Sequence, residues 1–116
     1  MYNVKQKDYF YLLNMLDAID KIKQNSAPYS TADDFLHATQ AFDASMMNFI
    51  VIGEMVDKLS DELIETSKND IEWYKIKGFR NIIAHNYFGI DAEEVWQIIH
   101  NRLPNLEIQV KNLINY

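Results

Sequence analysis

The residues able to do chemistry are concentrated in one stretch of the 116-residue chain, Gly78-Phe79-Arg80-Asn81-Ile82-Ile83-Ala84-His85-Asn86-Tyr87-Phe88-Gly89. An Arg, two Asn, a His and a Tyr fall within positions 80–87 of an otherwise apolar segment. Polar groups at that density must meet water or find partners, because burying one unpaired costs roughly 1–3 kcal/mol in proteins. At about 100° per residue, Asn81 and His85 stack within about 40° and Arg80 and Tyr87 within about 20°, so a helix here carries two adjacent polar columns. Arg80 and His85 themselves stand about 140° apart and about 7.5 Å along the axis. One helix cannot easily aim both at one atom; a second copy of the chain could supply the missing group.

The rest of the composition narrows the chemistry. With no cysteine, the chain forms no disulfide, thiolate zinc site or iron–sulfur cluster and has no cysteine nucleophile. His37 and His100 lie at no metal-ligand spacing from each other or from His85, so no metal and no cofactor is expected. The net charge of −6 is unevenly placed. Residues 26–70 hold nine acids against Lys58 and Lys68, whereas residues 71–90 hold Lys75, Lys77 and Arg80 against Glu72 alone. Fields are screened over about 8–10 Å. A broad DNA-coating surface is therefore excluded, and a small positive site of phosphate size near Arg80 is allowed. The acidic run Asp57, Asp61, Glu62 and Glu65 reads as a solvated face.

These residues need elements to hold them. Three Gly and two Pro leave little punctuation for hairpins, so an all-α chain is expected, one domain over residues 1–116 folded as an antiparallel bundle of four to five helices. Tyr9, Leu12, Leu16 and Ile19, with Leu13 and Ile22, predict a first helix over 4–25. Capped by Ser30 or Thr31, a long helix over 31–58 carries Phe35, Ala38, Phe42, Met46, Phe49, Gly53 and Val56. Small Gly53 on that stripe would let another helix backbone come close. A helical turn or two follows at 59–66. Asn69 or Asp70 then caps a helix over 71–87 built on Trp73, Ile76, Phe79, Ile82 and Ile83, with Gly89 as a left-handed stop. Asp91 and Glu94 predict the start of a last helix at 92, divided by Pro104 near 101–103. Met46, Met47 and the aromatics at 9–11 are assigned to the core or a dimer seam. The longest apolar run is far shorter than the roughly 20 residues a membrane span needs, and no secretory leader is visible, so a cytoplasmic protein is expected.

With Arg80, four intervening residues, His85 and then Tyr87, the chain resembles the Arg-x4-His-x-Tyr signature of the HepT toxins in the HEPN superfamily of small helical ribonucleases. The flanks agree: Gly53-Glu54, Trp73, Gly78, Asp91, Val95-Trp96 and Leu103-Pro104-x-Leu106. The resemblance implies a HEPN-like fold and a metal-independent endoribonuclease of a toxin–antitoxin pair, working as a homodimer whose motif helices meet in a cleft. It implies His85 as general acid or base, Arg80 as the clamp on the scissile phosphate, and Asn81 as a residue orienting the imidazole or a phosphate oxygen. Attack by the ribose 2′-hydroxyl would leave a 2′,3′-cyclic phosphate. It further implies a partner, an MntA-like minimal nucleotidyltransferase antitoxin that transfers AMP onto Tyr87, within a dimer or a higher assembly.

The same residues admit other roles. His85 can cap the helix end or face solvent. Arg80 can pair with Glu72, Asp91 or Glu94. Asn81 can be a plain polar helix residue, and Tyr87 a phenol packed beside Phe88. A non-catalytic helical subunit of a nucleotidyltransferase, binding nucleotide or protein, is the competing function, and the acidity of the chain leans that way. A purely structural bundle leaves the polar cluster unexplained.

Overall fold

The computed structural model describes residues 4–115. Among them the chain forms seven α-helices and one 3-10 turn, with no strand. They are α1 (Gln6–Ser26), α2 (Ala32–His37), α3 (Thr39–Lys58), α4 (Asp61–Ser67), α5 (Trp73–His85), the 3-10 turn Tyr87–Gly89, α6 (Ala92–Asn101) and α7 (Leu103–Leu113). No helix among the described residues is long and apolar enough to cross a membrane.

The long helix expected over 31–58 is broken in two at Ala38, whose ψ of 74° leaves the helical region. Side-chain packing explains the break. Phe35 and Phe42, seven residues apart, would stand about 10.5 Å from each other along a continuous helix. Turning the chain at Ala38 brings their rings to 5.3 Å and lets Phe35 also meet Trp96 of α6 at 5.9 Å. Thr31 caps α2, its Oγ1 accepting from the Asp34 N–H at 3.1 Å.

α1 and α3 form the largest helix pair. They run antiparallel, since Asp8 at the start of α1 accepts hydrogen bonds from Ser60 N–H (2.8 Å) and Oγ–H (2.6 Å) just beyond the end of α3. Leu12, Met15, Ile19 and Ile22 of α1 interleave there with Met46, Phe49, Ile52 and Val56 of α3. The buried stripe of α1 is thus rotated from the expected one: Met15 is inside, while Tyr9 and Leu13 are exposed. α5 lies along the other side of α3, also antiparallel, with Arg80 beside Glu54 and Tyr87 beside Asp43.

Two expected ends of the motif helix are corrected. Neither Asn69 nor Asp70 caps it: α5 begins at Trp73, and its N-cap, Glu72, makes no side-chain cap. The turn is held instead by the Trp73 indole, whose Nε1–H donates to the buried Ser67 Oγ at 2.9 Å. The helix closes at His85, leaving Tyr87 outside it, and no glycine has a positive φ. Gly89 serves close approach, because the Asn86 side chain occupies the space a Cβ would take. Asp91 caps α6 as expected, accepting from Glu93 N–H (3.0 Å) and Glu94 N–H (3.4 Å). The last helix is divided at Arg102, with Pro104 in the first turn of α7, where its missing N–H goes unmissed.

Candidate active site

Gly53 decides where Arg80 sits. A Cβ built on Gly53 would overlap the Arg80 Cβ and come within 2.5 Å of its Cγ, so the absent side chain is what lets α5 press onto α3 at this level. Held there, the Arg80 side chain is only 12% exposed. Its NH1 meets Glu54 Oε1 at 2.7 Å and Asp57 Oδ2 at 2.9 Å, and its Nε–H donates to Asn81 Oδ1 at 2.8 Å. Lys77 shares the same cluster, 2.9 Å from Asp57 Oδ1. The hydrogen bond to Lys77, joined by those to Arg80, holds the Asp57 carboxyl below its ordinary range despite partial desolvation. Asp57 in turn pushes the Arg80 guanidinium further towards permanent charge.

The cationic character expected around Arg80 is therefore cancelled in three dimensions. Lys75 pairs with Glu72 at 2.9 Å, Lys77 with Asp57, and Arg80 with Glu54 and Asp57. The ion pairs anticipated for Arg80 with Glu72, Asp91 or Glu94 are not the ones formed. The carboxylates of α3 take that place, and Asp57 is part of the site's ion cluster as well as of a solvated face.

His85 ends α5 and is exposed; among the described residues it makes no side-chain hydrogen bond or ion pair. Arg80 turns inward to α3 while His85 faces water, as the 140° between them requires. Asn81 is bonded to Arg80 rather than to His85. Tyr87 leaves the helix and folds back: its ring stands edge-on to Phe88 with centroids 5.9 Å apart, and its hydroxyl donates to Asp43 Oδ1 at the other end of α3. Burial, reinforced by the hydrogen bond and charge of Asp43, pushes the phenol pKa up to about 12. Among the described residues, no group of three or more His, Cys, Asp or Glu is placed to hold a metal ion.

Three residues of this site were not singled out as site residues from sequence: Asp43, Glu54 and Asp57, all on α3. A signal was present. Their spacings of eleven and three put them within about 60° of one another around a helix, one acidic column able to face a basic neighbour.

The outward side of α5 carries exposed apolar side chains beside the polar Asn81 and His85. Tyr74 is exposed, Ile82 is 52% exposed, and Phe88 beyond the helix end is fully so. Gly78, between Tyr74 and Ile82 on that side, has nothing within 4 Å of where its Cβ would stand. Next to it lies a groove of about 650 Å³ between α5 and the α6–α7 pair, lined by Ile71, Ile76, Phe79, Ile98, Leu103 and Leu106. Gly78 and Ile82 border this groove; Arg80, His85 and Tyr87 do not.

A family model described as "Ribonuclease HepT-like" matches residues 15–113. A "Putative RNase" of Methanocaldococcus jannaschii is 31% identical over 91% of this chain and 83% of its own length. Another protein so named, from Caldanaerobacter subterraneus subsp. tengcongensis, is 32% identical over 71% of this chain and 72% of its own. A "Probable ribonuclease HepT" of Thermococcus cleftensis is 23% identical over 89% and 92% of the two chains. A longer Methanocaldococcus jannaschii relative, named "Gamma-glutamylcyclotransferase and putative RNase", is 28% identical over 90% of this chain and is spanned over 46% of its own length. No solved structure matches the chain significantly. The all-helical fold and a family match across most of the chain agree: the chain belongs to the HepT-like ribonuclease family.

Proposed function

We propose that the chain is an endoribonuclease toxin, acting on RNA as a homodimer through Arg80 and His85 of different copies. The observation that carries this reading is the opposed orientation of the two side chains, Arg80 anchored on α3 and His85 free in water at the end of α5. An antiparallel pair of α5 helices with its twofold axis between positions 82 and 83 exchanges 80 with 85. A twofold interface, which pairs residue i with j and j with i, so brings Arg80 of one copy level with His85 of the other at two equivalent sites.

Within this pocket, Arg80 clamps the scissile phosphate. Glu54 and Asp57 hold its NH1 and Asn81 its Nε, which fixes the direction of the guanidinium and leaves NH2 to donate to phosphate oxygens. His85 transfers protons between the ribose 2′-hydroxyl, the leaving oxygen and water, since imidazole changes charge near neutrality. Asn81, bonded to Arg80, sets the plane of the guanidinium. The ribose hydroxyl attacks, a 2′,3′-cyclic phosphate forms, and no metal is needed. An MntA-like nucleotidyltransferase antitoxin silences the enzyme by adenylylating Tyr87, which adds bulk and negative charge at the site.

The test is cleavage of single-stranded RNA by the purified chain in EDTA, with DNA as control. Cleavage of RNA alone, lost in both Arg80→Ala and His85→Ala and restored on mixing the two inactive proteins, supports the reading. Mixing restores one intact site per heterodimer only when the two residues come from different copies. Saturable nucleotide binding with no cleavage by the parent overturns it in favour of a binding subunit.

A further inference from the structure

We propose that Asp43 is the proton acceptor for the hydroxyl of Tyr87, holding that oxygen in place and taking its proton when the tyrosine is joined to a nucleotide phosphorus. This rests on the reading of Tyr87 as a site of adenylylation. The two residues are 44 positions apart and on different elements, yet the phenol donates to the Asp43 carboxylate across the face between α3 and the 3-10 turn. The other acids of the same column are engaged elsewhere: Glu54 with Arg80, and Asp57 with Arg80 and Lys77. Asp43 forms no ion pair among the described residues, and its hydrogen bond is to the one hydroxyl that would react.

The chemistry needs such a group. The Tyr87 phenol, with its pKa near 12, is a neutral and weak nucleophile at physiological pH. It must lose its proton as the new bond forms. In the proposed step the Oη–H proton passes to the Asp43 carboxylate while Oη bonds to the α-phosphorus of ATP. The bond from that phosphorus to the oxygen bridging the α- and β-phosphates breaks, and pyrophosphate leaves with the electron pair. The protonated Asp43 then returns its proton to water. The product is a tyrosyl phosphodiester, anionic and without a donor hydrogen, so Asp43 loses its partner and faces a like charge. Modification thereby unfastens the 3-10 turn from α3 as well as covering the site.

The experiment incubates the full chain with an MntA-type nucleotidyltransferase and magnesium ATP and follows adenylate gain by intact mass. Parent, Asp43→Asn, Asp43→Glu and Tyr87→Phe are compared across pH. Asparagine keeps an oxygen that accepts the phenol hydrogen but cannot take the proton. The initial rate should therefore fall about 10²–10⁴-fold in Asp43→Asn and recover in part in Asp43→Glu. A role limited to holding the turn would leave Asp43→Asn close to the parent. Adenylylation of parent and Asp43→Asn at equal rates overturns the assignment of Asp43 while leaving Tyr87 as the modified residue. No adenylate on the parent, or equal gain on Tyr87→Phe, overturns the Tyr87 reading and this inference together. Should Asp43→Asn not fold, ultraviolet titration of the parent against Tyr87→Phe still decides: a Tyr87 hydroxyl that ionises like an ordinary phenol, near pH 10, overturns the contact.

Discussion

Replacing Gly53 with alanine should separate α5 from α3 at the one level where Arg80 is positioned. The new Cβ would stand 2.5 Å from Arg80 Cγ, against about 3.5–4.0 Å for an ordinary carbon–carbon contact. The helices must therefore part by about 1 Å. Alanine gains about 1 kcal/mol in helix propensity over glycine, and overpacking of this kind costs about 1–3 kcal/mol. A net loss of about 1 kcal/mol corresponds to a fall of roughly 4 °C or more in Tm. Function should suffer more than stability, because a misplacement of about 1 Å in a catalytic group costs on the order of 10²-fold. Gly78→Ala is the matched control. Nothing lies within 4 Å of its Cβ, so thermal unfolding should show a gain of about 1 kcal/mol, with RNA cleavage at the parent's rate. Thermal melts and RNA cleavage on both variants settle the matter. A Gly53→Ala protein that melts no lower than the parent and cleaves at the parent's rate would falsify the claim that close approach at Gly53 sets Arg80.

Other perturbations test the surrounding frame. Asp91→Ala removes two hydrogen bonds to the first turn of α6 and should cost about 1 kcal/mol in urea denaturation, without changing the position of α5. Asp8→Ala strips the partner from the Ser60 N–H and hydroxyl at the α3–α4 corner and should destabilise by about 1–3 kcal/mol by the same measurement. Tyr87 has its folded pKa raised to about 12. The unfolded chain loses that proton first, so the contribution of Tyr87 is whole below about pH 10 and is lost as pH rises from there through 12. Urea midpoints across that range should fall more steeply for the parent than for Tyr87→Phe, and parallel slopes would show that the phenol is not held by α3.

What was legible in the sequence depended on whether the cause was local. Periodicity predicted helices throughout, and Thr31, Asp91 and Pro104 marked boundaries because capping and the missing proline N–H act within one turn. The motif Arg80, Asn81, His85 and Tyr87 was visible by type and spacing, and helical geometry alone separated Arg80 from His85 by 140°. Only the tertiary fold decided which acids meet them. The break at Ala38 follows from Phe35 and Phe42 packing together and onto α6, a contact between distant segments that no run of consecutive residues encodes. The neutralisation of Arg80 by Glu54 and Asp57, and the capture of the Tyr87 hydroxyl by Asp43, arise because α3 and α5 lie antiparallel in contact. Charge counted along the chain sums neighbours in sequence, whereas electrostatic energy depends on distance in space, and folding had placed the acidic column of α3 against the most basic helix.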